Sequence, residues 1–215
     1  MSRKLTRKQK LRIRDGILIL IGIIIGVLLT RTVYSFKERT VAEKDNNNDI
    51  QEELNIDVEL LTPNEYSRPQ IELAKVKGIV IHYTANPGST AIDNRNYFEG
   101  LMNTGTTHAS SHFIVGLDGE IVQCIPTTEQ AYASNGRNDD TIAIECCHED
   151  KSGRYNDKTY ASLVRLTAFL CKKYNLTEKD IIRHYDVTGK MCPKYYVKHE
   201  DKWKDFKKDV KKELE

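Results

Sequence analysis

The run Gly78-Ile79-Val80-Ile81-His82-Tyr83, within an expected strand Lys77–Tyr83, decides the fold. Its consecutive branched apolar residues read as a buried strand, and the strand delivers the His82 side chain to a sheet edge. Three further strands are expected outward from it, at His112–Leu117, Ile121–Ile125 and Thr141–Cys146. Asp118-Gly119 is a tight-turn signal, so the strands on either side of it should form a hairpin. Helices are expected at Ser89–Met102, with Ser89 or Thr90 near its N-cap, at Asp157–Tyr174 and at His199–Leu214. In the second, Tyr160, Leu163, Val164, Ala168, Leu170 and Cys171 recur at three-to-four spacing. In the third, Trp203, Phe206, Val210 and Leu214 do the same. Interleaved strands and helices without an internal repeat imply an α/β domain built on one central sheet.

A second stretch carries the chemistry: Arg183-His184-Tyr185-Asp186-Val187-Thr188-Gly189-Lys190-Met191-Cys192-Pro193. It puts an imidazole, an ammonium and a thiol on one short segment. That segment is too rich in glycine and polar residues for a regular helix, so it is expected to wrap around something. Imidazole nitrogen and thiolate sulfur are ligands that zinc prefers. Lys190, two residues from the thiol, can lower its pKa. His82 is the candidate third ligand, which leaves a fourth position for water. Taken singly, a strand-end histidine and a buried thiol are ordinary. Together the three residues point to a metal. Glu145 ends the strand Thr141-Ile142-Ala143-Ile144-Glu145. Alternation puts Ala143, Glu145 and Cys147 on one face, opposite Ile142, Ile144 and Cys146. A carboxylate at the end of an apolar strand is costly unless it faces a cleft or a partner.

Three segments, Ile79–Pro87 (IVIHYTANP), Ile142–Cys146 and Arg183–Pro193, recur in this order in type-2 N-acetylmuramoyl-L-alanine amidases, which the chain resembles over about residues 62–210. That family includes phage endolysins and shares a fold with peptidoglycan-recognition proteins. The resemblance implies a central mixed sheet flanked by helices, with a zinc cleft on one face. It implies zinc ligation by His82, His184 and Cys192, proton transfer by Glu145 and oxyanion stabilisation by Lys190. Asn86 and Asn135 would line the cleft. His112 is either a substrate contact or a core histidine. Many phage members carry a tyrosine just before the His-Phe pair, whereas this chain has Ser111 before His112-Phe113, so no tyrosine role carries over.

The N-terminal part has a different character. Residues 1–15 hold seven basic side chains against Asp15 and read as a cytoplasmic tail. The formal net charge of +2 therefore conceals an acidic remainder, which is unlike a nucleic-acid binder. Gly16 to Thr30 is uncharged and apolar. As a helix it spans ~22 Å, short of a ~30 Å hydrocarbon core unless Val33, Tyr34 and Phe36 extend it. Residues 16–36 are expected to be a single transmembrane helix, with a cleaved signal peptide as the alternative. The bulky Arg31–Phe36 offers no small-x-small cleavage site. The basic flank puts the N-terminus in the cytoplasm and the body outside. Residues 37–60 read as an acidic flexible linker and 61–215 as the zinc amidase domain. Five cysteines in an exported body leave disulfides open, although Cys171 reads as a core residue, and adjacent Cys146 and Cys147 point to opposite faces.

The expected activity is hydrolysis of the amide between the N-acetylmuramic acid lactyl group and L-alanine in peptidoglycan. A noncatalytic muropeptide-binding receptor on the same fold is the alternative, and a cysteine hydrolase pairing Cys192 with His184 is a third. Intact Cys192, Glu145 and Lys190 favour catalysis, and an outward body places it beside that polymer.

Overall fold

The computed structural model describes residues 54–215, to which every structural statement here refers. The expected tail, transmembrane helix and most of the linker lie outside these residues. Among the described residues no helix is long and apolar enough to cross a membrane.

The strands are β1 (Ile56–Val58), β2 (Gly78–Ile81), β3 (Phe113–Val115), β4 (Ile121–Gln123), β5 (Thr141–Cys146) and β6 (Ile181–Arg183). They form one sheet in the order β1-β4-β3-β5-β2-β6. β3 and β4 are the expected antiparallel hairpin, while β3, β5, β2 and β6 run parallel side by side, as do β1 and β4. The sheet is therefore mixed. At the start of β2 the chain passes close to the lead-in of β6: a Cβ on Gly78 would lie 2.9 Å from the Asp180 carbonyl oxygen. Only glycine fits that approach without a shift.

The helices are α1 (Ala91–Thr104), α2 (Asp157–Tyr174), α3 (His184–Thr188), α4 (Lys194–Lys198) and α5 (Glu200–Leu214). Thr90 caps α1 in a reciprocal box with Asp93, so the expected N-cap is realised. Asn156 caps α2 by accepting from the Thr159 amide. One face of the sheet, with Ile79, Ile81, Ile142, Ile144 and Cys146, packs under Leu163, Leu166 and Leu170 of α2 and Trp203, Phe206 and Val210 of α5. A smaller cluster on the opposite face holds Ile114, Val122 and Cys147 under Ala91, Phe98 and Leu101 of α1. Cys146 and Cys147 thus separate as alternation requires. All five cysteines are free and buried.

The structure departs from the sequence reading at four places. β1 falls inside the stretch read as linker, so the globular part begins no later than Ile56. It is an edge strand whose Asp57 and Val58 are exposed, which gives it the composition of a tether. β6 is a strand only because its neighbour β2 pairs with it. The expected loop after Arg183 opens with a short helix, α3, which Gly189 terminates in the left-handed region at φ 77. The expected helix His199–Leu214 is preceded by a separate turn, α4, and the break falls at His199.

Candidate active site

Within the parallel set, β5, β2 and β6 place their C-terminal ends side by side, where ligands sit in open α/β sheets. Ile81 registers with Ile144 on one side and with Arg183 on the other. The next residue along each strand is Glu145, His82 and His184. All three belong to the sheet face opposite the large core. Ile81, Ile144 and Arg183 point the other way, as alternation dictates. Arg183 anchors this edge from behind. It is buried, bonds Asp186 at 2.8 Å and Glu200 at 2.6 Å, donates to the Tyr196 carbonyl and lies 5.3 Å from the Trp203 ring. The Tyr155 hydroxyl donates to the His82 carbonyl at 2.8 Å and fixes the end of β2.

After α3 the chain returns, and Cys192 comes back to the same edge. The Tyr185 amide donates to the Cys192 carbonyl at 2.8 Å and closes the loop. The Cys192 sulfur lies 3.8 Å from His82 Nδ1, and the two imidazole centroids are 4.7 Å apart, edge to face. One ligand atom from each of His82, His184 and Cys192 lies within 4.8 Å of the others, and all three residues are buried. Two histidines and a thiol so gathered form the N/S donor set that suits zinc. Five buried side-chain polar atoms lack a partner, and three of them, His184 Nδ1, Glu145 Oε2 and Thr84 Oγ1, belong to residues lining one cleft. Buried orphans are rare in native proteins, so their concentration here points to a group from outside the chain. The residues fit a metal ion.

Electrostatics support the same conclusion. Burial holds His82 well below the usual histidine range, with His184 and Lys190 adding to the effect. Burial and then Lys190 lower His184 as well. Both imidazoles are therefore neutral, as ligation needs. Burial pushes the Cys192 thiol up to about 12, and the Glu145 charge pushes the same way. Lys190 pulls it down, as its sequence position suggested, but burial outweighs it. Burial thus favours the neutral thiol over the thiolate that a cysteine hydrolase would need. Burial also raises the Glu145 carboxyl to about 7, against the opposing Lys190 charge. That suits an acid–base residue at neutral pH. Lys190 itself is exposed at the cleft rim.

The cleft measures about 540 Å³ and runs from this cluster past Ser110, Tyr132 and Asn138 to Tyr97 and Phe98. Tyr97 is largely exposed. His108 lies 5.2 Å from the Tyr66 ring and 5.3 Å from the Tyr132 ring.

The structure brings together His82, His184, Cys192, Glu145, Lys190 and Asn135. It does not bring His112 or Asn86 there. His112 is buried, its Nδ1 accepts from the Ala143 amide at 3.0 Å, and its Nε2 donates to the Glu129 carbonyl at 2.9 Å. With both nitrogens occupied by backbone it is a core histidine, and the expected substrate contact is withdrawn. Asn86 is exposed in the loop after β2, where its carbonyl accepts from Ser89, and it does not line the cleft. The Ser111 hydroxyl donates within the core to the Phe113 and Ala143 carbonyls, far from a phenol's role. Sequence reasoning overlooked Thr84 and Ser134. Their only signal was adjacency: Thr84 follows His82 by two residues, and Ser134 precedes Asn135.

These features define an α/β domain whose mixed sheet carries a candidate metal centre at the edge of its parallel strands. Residues 72–195 match the family model described as N-acetylmuramoyl-L-alanine amidase, and the chain belongs to that family. CwlL, an N-acetylmuramoyl-L-alanine amidase of Bacillus licheniformis, is 39% identical over 160 residues, covering 68% of this chain and 44% of that protein. BlyA of Bacillus subtilis (strain 168), with the same description, is 34% identical over 172 residues, covering 70% and 45%. The chain thus matches less than half the length of these curated relatives. Among solved structures, a mutant endolysin from Bacillus subtilis superposes with a TM-score of 0.61 at 30% identity, covering 73% of this chain and 98% of that one. The catalytic domain of XlyA superposes with a TM-score of 0.61 at 27% identity, covering 73% and 99%.

Proposed function

We propose that this protein is a zinc-dependent peptidoglycan amidase that cleaves the bond between the lactyl carbonyl of N-acetylmuramic acid and the L-alanine nitrogen. One observation carries the proposal: His82, His184 and Cys192 converge at one strand edge, beside an unpartnered Glu145 oxygen. His82, His184 and Cys192 would hold the ion, which supplies Lewis acidity and lowers the pKa of water. Glu145 accepts a proton from the attacking water. The water oxygen adds to the lactyl carbonyl carbon. Glu145 then gives the proton to the alanine nitrogen as the carbon–nitrogen bond breaks. A carboxyl held near 7 by burial exchanges that proton in either direction at neutral pH. The Lys190 ammonium at the rim stabilises negative charge developing on the carbonyl oxygen. Tyr97 and Tyr132 offer aromatic surface along the cleft to the rest of the substrate.

The proposal extends to location. The basic residues 1–15 and the apolar stretch within 16–36 support a single-pass anchor with the N-terminus in the cytoplasm. The acidic residues that follow would let the domain sample peptidoglycan near the membrane. Protease added to wall-stripped cells should then remove the domain and leave a small membrane-bound stub.

The activity test is incubation of purified protein with sacculi, with and without chelator, and mass spectrometry of the products. New L-alanine amino termini paired with free lactyl carboxylates, formed only without chelator, are the expected result. Binding to sacculi with no new termini would favour a receptor instead.

A further inference from the structure

The loop that joins the cleft wall to β5 makes a contact with each of the two histidines. Ser134 Oγ lies 3.2 Å from His82 Nε2. Asn135 Oδ1 lies 3.1 Å from His184 Nε2. A side-chain amide oxygen only accepts, so the His184 ring proton sits on Nε2. That leaves the His184 Nδ1 lone pair bare, and Nδ1 is the buried ring atom found without a partner. His82 is placed similarly: Nε2 meets the Ser134 hydroxyl, which can donate or accept, while Nδ1 faces the Cys192 sulfur at 3.8 Å. Two consecutive residues thus bind the far nitrogens of two imidazoles that follow the ends of two different strands.

The loop is itself held in shape. Asn138 Oδ1 accepts from the Ala133 and Ser134 amides at 3.1 and 2.6 Å. The Arg137 amide donates to the Ser134 carbonyl at 3.0 Å. Asn135 adopts the left-handed region at φ 51, a conformation asparagine tolerates better than most residues. The Arg137 side chain bonds Asp140 at 2.6 Å, and the Thr141 hydroxyl donates to the Arg137 carbonyl, which ties the loop to the start of β5.

We infer that Ser134 and Asn135 are positioning residues: Asn135 sets the tautomer of His184, and the pair holds the orientation of both imidazoles so that His82 and His184 present Nδ1 to one metal ion. The inference rests on the zinc site proposed above. Partners of this kind raise ligand basicity and fix the ring, and their loss typically weakens metal binding by about 10–100-fold. It also gives Asn135 a role other than substrate contact.

The test measures zinc affinity of the purified full chain by chelator competition, alongside thermal unfolding of the metal-free form. Ser134→Ala and Asn135→Ala should each weaken zinc binding about tenfold or more, while the metal-free melting temperature holds for Ser134→Ala and falls only slightly for Asn135→Ala, whose alanine takes up the left-handed backbone. Asn135→Asp should restore or tighten binding, because a carboxylate accepts the same Nε2 proton more strongly. Nitrogen-15 spectra of the zinc-loaded wild type should show protonated Nε2 and metal-bound Nδ1 on both histidines. If Ser134→Ala unfolds, the exposed Asn135 pair decides alone. Unchanged affinity in Asn135→Ala, or coordination through Nε2, overturns the inference while the zinc site stands. Failure of wild type to bind zinc overturns both.

Discussion

The two faces of β5 contrast sharply. On one face Ile142, Ile144 and Cys146 disappear into the large hydrophobic core under α2 and α5. On the other, Ala143 leads to Glu145, whose carboxyl has an oxygen without a partner, and this face shares the strand edge with His82 and His184. A period of two lets one six-residue strand do both jobs: alternate residues hold the domain together and present the chemistry. The core face gains stability by removing apolar area from water. The cleft face keeps a carboxyl raised to about 7, a thiol raised to about 12 and neutral imidazoles, groups that cost stability until a ligand satisfies them.

Substitutions on the two faces should therefore fail in different ways. The largest effect is expected from Glu145→Gln, which should lower turnover about 10²–10⁴-fold while zinc content and fold persist. Steady-state kinetics beside metal analysis would check this, and a rate near wild type would move proton transfer to another residue. On the opposite face, Ile144→Ala should cost about 2–5 kcal/mol of stability and leave the rate per folded molecule intact. Denaturant unfolding measures the first quantity and active-site-normalised kinetics the second. A large rate loss in correctly folded Ile144→Ala would show that the faces are not separable.

Arg183 lies behind the catalytic edge and joins the two regions. Arg183→Ala removes ion pairs to Asp186 and Glu200 and the bond to the Tyr196 carbonyl. Because the guanidinium is buried and its partners are partly exposed, about 1–3 kcal/mol of stability should be lost. The His184 loop should also loosen, read as faster hydrogen exchange at Tyr185 and Gly189.

The smallest expected effect concerns pH in the metal-free protein. The folded Glu145 carboxyl titrates near 7, above the ordinary ~4.3 of an unfolded glutamate. The folded state therefore binds this proton more tightly. Its stability contribution is complete below about pH 4 and is lost as pH rises through about 7. Glu145→Gln should consequently raise the metal-free melting temperature at pH 8 but not at pH 4. Zinc nearby favours the carboxylate and should pull the midpoint down. The rising limb of the rate profile then falls at or below about 7. A melting temperature difference that grows toward acid would reverse the sign and refute the buried-carboxyl explanation.

What was legible in the sequence follows the same division. Thr141–Cys146 appeared with its bounds correct because six residues of mostly branched and apolar character suit a buried strand. The metal-ligand candidates were legible because His82, His184 and Cys192 are chemically distinctive and sit at segment ends. β1 and β6 were not, since Ile-Asp-Val and Ile-Ile-Arg carry no periodicity of their own, and only pairing with β4 and β2 makes them strands. α3 was hidden by its polar composition, and its start depends on Asp186 reaching back to the Arg183 amide. His112 misled because residue type alone does not reveal that the Ala143 amide and Glu129 carbonyl occupy both ring nitrogens. Ser134 was overlooked for the converse reason: its role exists only through a contact 52 residues away in the chain.

The decisive measurement is the zinc content of purified protein and of His82→Ala, His184→Ala and Cys192→Ser, determined by elemental mass spectrometry after dialysis against trace chelator. One zinc per wild-type chain is predicted, with a marked loss in each variant and a lower melting temperature for each than for the zinc-loaded wild type, because the ligands couple metal binding to folding. Full zinc occupancy in all three variants would contradict the site.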